Sequence, residues 1–163
     1  MIPPEEFLRH VIRPVLSRLA RFDSRLGGAA SEQLMLGTAL AESRLGALEQ
    51  RGGPALSMFQ IEPATFTDIY GRYLRSRPGL LAAVRTFRFP GLRPLEQLAG
   101  NQHLACAIAR VKYWMNPRPL PAPGDIDALG AYWKAAYNTS RGAGKASRWA
   151  HLYRKYVREG VLR

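Results

Sequence analysis

The chain has 163 residues, of which 47% are hydrophobic and 22% charged, with a formal net charge of +12 at pH 7. This length and composition predict a single globular domain over residues 1–163 and exclude a chain dominated by disorder. The single cysteine, Cys106, excludes an internal disulfide and is predicted to be a buried thiol. No stretch approaches the ~20 apolar residues that span a bilayer, so we predict no transmembrane segment.

Apolar residues recur at helical spacing along most of the chain, whereas the period-2 alternation of strands is rare. The predicted fold class is therefore mainly α, with at most a small β-hairpin within residues 53–61. In the first helix, Pro14 is expected to kink or interrupt an apolar stripe that runs from Leu8 to Leu19. Further helices are predicted around residues 31–45, 63–74, 80–84, 104–115, 125–137 and 149–156.

Glu42 lies close to the end of the most apolar of these predicted helices. With Ser31 as the N-cap and Gly46 as the C′ residue, it falls in the last helical turn. The helix dipole and partial burial among apolar side chains would both raise the pKa of its carboxyl group. A carboxyl group that stays protonated near neutral pH is a candidate general acid. The alternative is an exposed glutamate that pairs with Arg44 or another arginine.

Three short motifs follow one another along the chain, and their order is more informative than any one of them. Together they resemble the catalytic domain of the soluble lytic transglycosylases and their goose-type lysozyme relatives, in the lysozyme-like superfamily. The resemblance covers roughly residues 30–150. The matching residues are Glu42-Ser43, Gln60-Ile61 followed by Pro63-Ala64-Thr65, and Tyr137-Asn138.

The chain departs from the family pattern at three places. Ser57 stands where the family usually has glycine, and Glu62 stands where it often has methionine. Residues 139–144 replace a shorter Ala-Gly turn. This combination looks like the small lytic proteins encoded by bacteriophages or prophages, such as endolysins.

The resemblance implies a peptidoglycan-cleaving glycosidase, a lytic transglycosylase that cuts the MurNAc-GlcNAc β-1,4 bond. Glu42 is the implied acid/base, and the C6 hydroxyl of the sugar closes a 1,6-anhydro ring, so one catalytic carboxylate suffices. Tyr137 is implied to hydrogen-bond near Glu42 and hold it. The candidates for binding substrate are Ser43, Ser57, Gln60, Glu62 and Asn138.

Other functions stay open from the sequence alone. Glu62 either interacts with the positive end of the helix that begins at Pro63 or recruits water as a second carboxylate. In the second case, Glu42 and Glu62 form the pair of a hydrolytic muramidase. The departures from the family pattern also allow a catalytically silent lysozyme-like structural protein of a phage. The high positive charge allows a third alternative, a basic nucleic-acid-binding protein.

The predicted partners are peptidoglycan glycan strands and, through the net charge, an anionic envelope surface. Basic residues are scattered over the chain and no nucleic-acid-binding signature occurs, so no specific nucleic acid is expected. His10, His103 and His151 lack the spacing of metal ligands, and we predict no metal and no cofactor. We also predict a monomer without a signal peptide that reaches the periplasmic wall by phage-assisted release or in a virion.

Overall fold

The computed structural model describes residues 1–138 and 143–157, and its mainly helical architecture confirms the predicted fold class. No helix in these residues has the length and apolar character needed to cross a membrane. The helices are α1 (Pro4–Phe7, Leu8–Ile12 and Arg13–Ala20, continuous), α2 (Ala29–Ser43), α3 (Pro63–Phe66 and Thr67–Tyr73), α4 (Pro78–Arg85), α5 (Gln102–Trp114), α6 (Ile126–Trp133 and Lys134–Asn138) and α7 (Ala146–Tyr156).

Three of these helices contain a π-helical segment. In α1 the amide of Arg13 donates to the carbonyl of Leu8, five residues back, so the backbone stays helical up to Pro14. Pro14 then occupies the first turn of the following α-helical part, where its missing amide hydrogen costs little. The helix is therefore not interrupted at Pro14, and its irregularity is the π-helical segment that precedes this residue. The π segment of α6 carries Tyr137 and Asn138, two of the predicted site residues.

The helix that carries Glu42 begins and ends at other residues than predicted. It starts after Gly28, and Ser31 is buried inside it. It ends at Ser43, and the C-cap residue Arg44 adopts a left-handed conformation with φ +51°. Arg44 and Leu45 are both left-handed, so the helix ends before Gly46, the predicted C′ residue; the Ser43 hydroxyl accepts a hydrogen bond from the amide of Leu45 in this turn. Glu42 nevertheless lies in the last turn, as predicted.

Side chains cap two other helices of the chain. The Asp125 side chain accepts a hydrogen bond from the amide of Ala128 at 3.0 Å and caps α6. Asn101 caps α5 in the same way, through the amide of Leu104. Cys106 is a fully buried free thiol, as predicted.

Trp149 of α7 packs directly against the backbones of α2 and α6. A Cβ atom at Gly37 would lie 2.0 Å from Cζ2 of its indole ring, and one at Gly130 would lie 3.2 Å from Cε3. Only glycine leaves room for the indole ring at Gly37. This contact fixes the spacing between the helix that carries Glu42 and the helix that carries Tyr137.

We therefore expect Gly37→Ala to lower the free energy of unfolding by about 1 to 3 kcal/mol, because the added methyl group overpacks a closed core. Chemical denaturation measures this loss. Gly100→Ala is a matched control, since a Cβ atom at Gly100 meets no atom within 4 Å. Equal stability of the two variants would contradict the packing of Trp149 described above.

The predicted hairpin is reduced to two isolated antiparallel bridges, Glu49 with Leu56 and Leu56 with Ile61. The turn between Leu56 and Ile61 contains two left-handed residues, Ser57 at φ +72° and Gln60 at φ +47°. These conformations favour glycine, which explains in physical terms why glycine suits position 57.

Candidate active site

A cavity of about 460 Å³ lies where the end of α2, the turn at residues 56–62 and the helices α3, α5 and α6 meet. It brings together five of the seven residues that the sequence predicted for the site: Glu42, Gln60, Glu62, Tyr137 and Asn138. Its other lining residues are Gln50, Ala55, Thr65 and Lys112.

Glu42 is the central ionisable group of this cavity. Burial raises the pKa of its carboxyl group from 4.5 to about 7, against the opposing influence of a hydrogen bond from Trp133 and of the positive charge of Lys112. The carboxyl group is thus protonated in a substantial fraction of molecules at neutral pH and still reaches the cavity. This combination meets the requirement for a group that donates a proton and takes one back.

Trp133 is a residue of the candidate site that the sequence interpretation did not single out. It is buried on α6, and its indole Nε1–H donates to Oε1 of Glu42 at 3.1 Å. This bond orients the carboxyl group and stabilises its ionised form. The available signal was its position one helical turn before Tyr137, but the same spacing is typical of an ordinary core residue.

Tyr137 lines the cavity, but its hydroxyl group has another partner than the predicted one. The hydroxyl donates to the carbonyl oxygen of Phe59 at 2.8 Å and so ties α6 to the turn. Burial, and then the negative charge of Glu42, raise the pKa of this phenol. Tyr137 therefore shapes the wall beside Glu42, while Trp133 makes the hydrogen bond that was assigned to Tyr137.

Lys112 of α5 lines the cavity and is a second residue that the sequence interpretation did not identify. Its ammonium group donates to the carbonyl oxygen of Tyr137 at 2.8 Å and lies 3.9 Å from the centre of the Tyr137 ring. Burial lowers the pKa of Lys112, and the carboxylates of Glu42 and Glu62 act in the opposite direction. The lysine thus places a positive charge in the cavity that favours the ionised form of Glu42.

Ser43 and Ser57, two of the predicted substrate-binding residues, do not line the cavity. Ser57 is fully buried, and its hydroxyl accepts a hydrogen bond from the amide of Phe59. The Ser43 hydroxyl donates to the carbonyl oxygen of Met58 at 2.8 Å. Both side chains therefore shape the turn, and the structure does not bring them into the cavity with the other predicted residues.

The turn is held by hydrogen bonds from three helices that carry or support the cavity. Ser43 of α2 binds the carbonyl oxygen of Met58, Gln102 of α5 accepts from the amide of Met58, and Tyr137 of α6 binds the carbonyl oxygen of Phe59. Because each bond satisfies a backbone group of the same short segment, the bonds fix its position relative to Glu42.

Three polar residues remain as candidates for contacting a substrate in the cavity. Gln60 donates to the carbonyl oxygen of Ser57 at 2.8 Å, which fixes the orientation of its amide group. Asn138 accepts a hydrogen bond from Lys134. Glu62 is exposed, precedes Pro63 at the start of α3 and makes no side-chain cap bond there. All three reach the cavity, as the sequence predicted for substrate-binding residues.

Comparisons with protein-family models, with curated proteins and with solved structures find no match to this chain. The assignment to the lysozyme-like superfamily therefore stays a prediction from the ordered motifs. Most of the unusual turn after Tyr137-Asn138, residues 139–142, lies outside the described residues. Residues 1–138 and 143–157 contain no group of three histidine, cysteine or acidic side chains arranged to hold a metal ion.

Two conservative substitutions on α6 separate the role of Trp133 from that of Tyr137. For the peptidoglycan cleavage that the ordered motifs predict, we expect Trp133→Phe to slow turnover about three- to tenfold, because it removes a hydrogen bond to Glu42 worth about 0.5 to 1.5 kcal/mol. Tyr137→Phe should instead cost about 1 to 3 kcal/mol of stability, because it leaves the buried carbonyl group of Phe59 without its partner. Turnover of peptidoglycan and denaturant unfolding, measured on both variants, test this division. Slower turnover in Tyr137→Phe, with lost stability in Trp133→Phe, would instead support the role that the sequence predicted for Tyr137.

Proposed function

We propose that this chain is a peptidoglycan lytic transglycosylase in which Glu42 is the single acid/base. The observation that carries the proposal is a largely buried carboxyl group, with its pKa raised to about 7, in a cavity lined by side-chain amides. Amide groups are suited to the N-acetyl and hydroxyl groups of a glycan strand. The order of the three motifs along the chain supports the same proposal.

In the proposed reaction, protonated Glu42 donates its proton to the oxygen of the MurNAc-GlcNAc bond as the C1–O bond breaks. The C6 hydroxyl of the MurNAc residue then attacks C1 and returns its proton to Glu42. The products are a shortened glycan and a 1,6-anhydro end, and no water is consumed. Between the two steps Glu42 is a carboxylate, which the Trp133 hydrogen bond and the Lys112 charge stabilise.

A hydrolytic muramidase is the second candidate, and the position of Glu62 favours it over the remaining ones. Glu62 is an exposed carboxylate that lines the same cavity as Glu42. A hydrolase would use it to activate the attacking water. The transglycosylase mechanism leaves Glu62 without a chemical task.

Glu62→Gln decides between these two chemistries. We expect turnover within about threefold of wild type and products with anhydro ends, lighter by one water than hydrolysed ends, because a single carboxylate completes the proposed reaction. Mass analysis of the muropeptides, together with the turnover rate, measures both properties. An inactive but folded variant, together with wild-type products that carry a reducing end, would make Glu42 and Glu62 a hydrolytic pair. No turnover by the wild type itself would favour a silent structural protein.

The net charge of +12 suits an enzyme that works at an anionic envelope. For delivery we propose phage-assisted release or transport in a virion, in line with the resemblance to phage lytic proteins. Binding of duplex DNA that falls steeply with salt, with no effect of Glu42→Gln, would instead favour the nucleic-acid alternative.

A further inference from the structure

A second cavity, of about 450 Å³, opens beside the C-terminal end of α5. It is bounded by the segment before α2, by the proline-rich connector after α5 and by Tyr132 of α6. None of its lining residues lines the Glu42 cavity. A ligand in this second cavity would therefore take no part in the proposed reaction.

Arg110, in the wall of this cavity, is a buried cation. Only 2% of its surface is exposed. Its guanidinium group donates to the carbonyl oxygens of Leu26 and Arg25, at 2.9 Å each. Among the described residues, no carboxylate lies within salt-bridge distance of it. A buried guanidinium group without a counterion is costly, and a bound anion would offset that cost.

Asp23 is the acidic residue whose charge acts on Arg110, but its carboxylate is already bonded to Arg25. Arg25 donates to both carboxylate oxygens of Asp23, at 3.0 and 2.7 Å. The guanidinium groups of Arg25 and Arg110 both lie over the ring of Trp114, at 4.9 and 5.8 Å from its centre. Two cations thus converge where one carboxylate is present.

A third arginine, Arg118 of the connector, lines the same cavity. The hydroxyl of Tyr132 donates to the carbonyl oxygen of Arg118 at 2.9 Å and so fixes the connector against α6. The Arg118 residue is exposed, and its side chain has no acidic partner in the part of the chain that the structure describes. The rest of the lining includes rings and apolar groups, from Tyr113, Trp114, Pro117, Pro119, Leu120 and Pro121.

We propose that this cavity binds a phosphate group carried on an apolar or planar body. Arg110 and Arg118 supply the positive charge, and guanidinium groups match the oxygens of a phosphate with paired donors. The aromatic and proline walls enclose the rest of the ligand. A purely structural role for Arg110, as a brace for the carbonyl groups of residues 25 and 26, explains its two hydrogen bonds but gives no role to Arg118 in the wall of the same cavity.

Calorimetric titration with phenyl phosphate, inorganic phosphate and phenol at constant ionic strength tests the proposal. Phenyl phosphate should bind more tightly than either of the other two, because it alone offers both the charge and the ring. Absence of binding at millimolar phenyl phosphate would overturn the proposal, as would equal affinity for phenol.

Arg118→Gln should weaken the binding of phenyl phosphate about tenfold, since it removes a charge-assisted contact. Arg118 is exposed, so the substitution should leave the stability of the fold unchanged. Arg75→Gln removes the same charge from another exposed position, which lines neither this cavity nor the Glu42 cavity. It should keep the wild-type affinity within twofold. Equal weakening by the two substitutions would show a diffuse charge effect and overturn the site.

The phosphate can come from a lipid headgroup or from a soluble ester, and competition separates these sources. If vesicles of phosphatidylglycerol displace phenyl phosphate from the wild type and vesicles of phosphatidylcholine do not, the ligand is a headgroup. If neither displaces it, the ligand is a soluble phosphate ester. Peptidoglycan turnover should be unchanged in Arg118→Gln, so failure of this site and failure of the proposed function are distinguishable.

Discussion

Glu42→Gln should abolish wall lysis while the chain stays folded. Glutamine keeps the shape of the side chain and can still accept the hydrogen bond from Trp133, but it cannot donate a proton to the leaving oxygen. General acid catalysis contributes about a hundredfold to ten-thousandfold in rate, so a loss of at least about a hundredfold is expected. Release of soluble fragments from purified peptidoglycan measures it. Substantial lysis by a well-folded Glu42→Gln variant would remove Glu42 from the catalytic role.

The same variant provides a control that needs no substrate. Because burial raises the pKa of Glu42 from 4.5 to about 7, the folded state holds a proton that the unfolded state has already lost in this range. Wild-type stability therefore falls as the pH rises from 4.5 and levels off above about 7. Glutamine avoids this loss, so Glu42→Gln should gain about 1 to 3 kcal/mol relative to wild type between pH 5 and pH 8. Denaturant unfolding at both pH values measures the difference.

A relative stability that does not change with pH would mean that Glu42 is not buried as described. The activity and stability measurements are thus independent. A gain in stability at pH 8 without a loss of activity would support the environment of Glu42 and contradict its proposed chemistry.

The position of Glu42 could be predicted from the sequence because it depends on local patterns. Each of these patterns involves only a few neighbouring residues: the apolar spacing, the helix start at Pro63 and the side-chain cap at Asp125. These patterns fix which residues are helical, and the ordered motifs indicated which of them meet. Five of the seven predicted residues accordingly line one cavity.

The partners of the site residues could not be predicted in the same way. Trp133 and Tyr137 lie one turn apart on α6, and both are buried aromatic residues with a polar atom. Their register relative to α2 and to the turn after Leu56 decides which of them reaches Glu42. That register results from the packing of whole helices, including the contact of Trp149 with Gly37. The placement of Ser57 could not be predicted for a related reason, because a polar residue in a turn can satisfy the backbone instead of facing the cavity.

Lys112 was overlooked because a lysine at the polar edge of a helix is ordinarily a solvated residue. In the structure, the ammonium group of Lys112 instead lies over the Tyr137 ring, and burial lowers the pKa of the lysine. Its charge acts on Glu42 through the space of the cavity and not through a bond. An electrostatic influence of this kind has no local sequence signature.

The pH dependence of lysis should show both influences on Glu42. For the wild type, we expect the rate to fall about tenfold per pH unit once the pH exceeds about 7, because the acid form of Glu42 is then titrated away. Lys112→Met removes a positive charge that lowers the pKa of Glu42, so the decline should begin at a higher pH. The ratio of the variant's rate to the wild-type rate should rise at least about threefold between pH 6 and pH 8.5.

Lys155→Met is the matched control for this experiment. Lys155 is exposed and lies 5.3 Å from the centre of the Tyr156 ring, and it lines neither cavity described above. The control removes the same charge and a similar contact with a ring, so its pH profile should coincide with that of the wild type. If both variants shift the decline equally, the net charge of +12 acts at long range on substrate binding. A shift confined to Lys112→Met places the effect within the cavity, where its direction identifies Glu42 as the group that must be protonated.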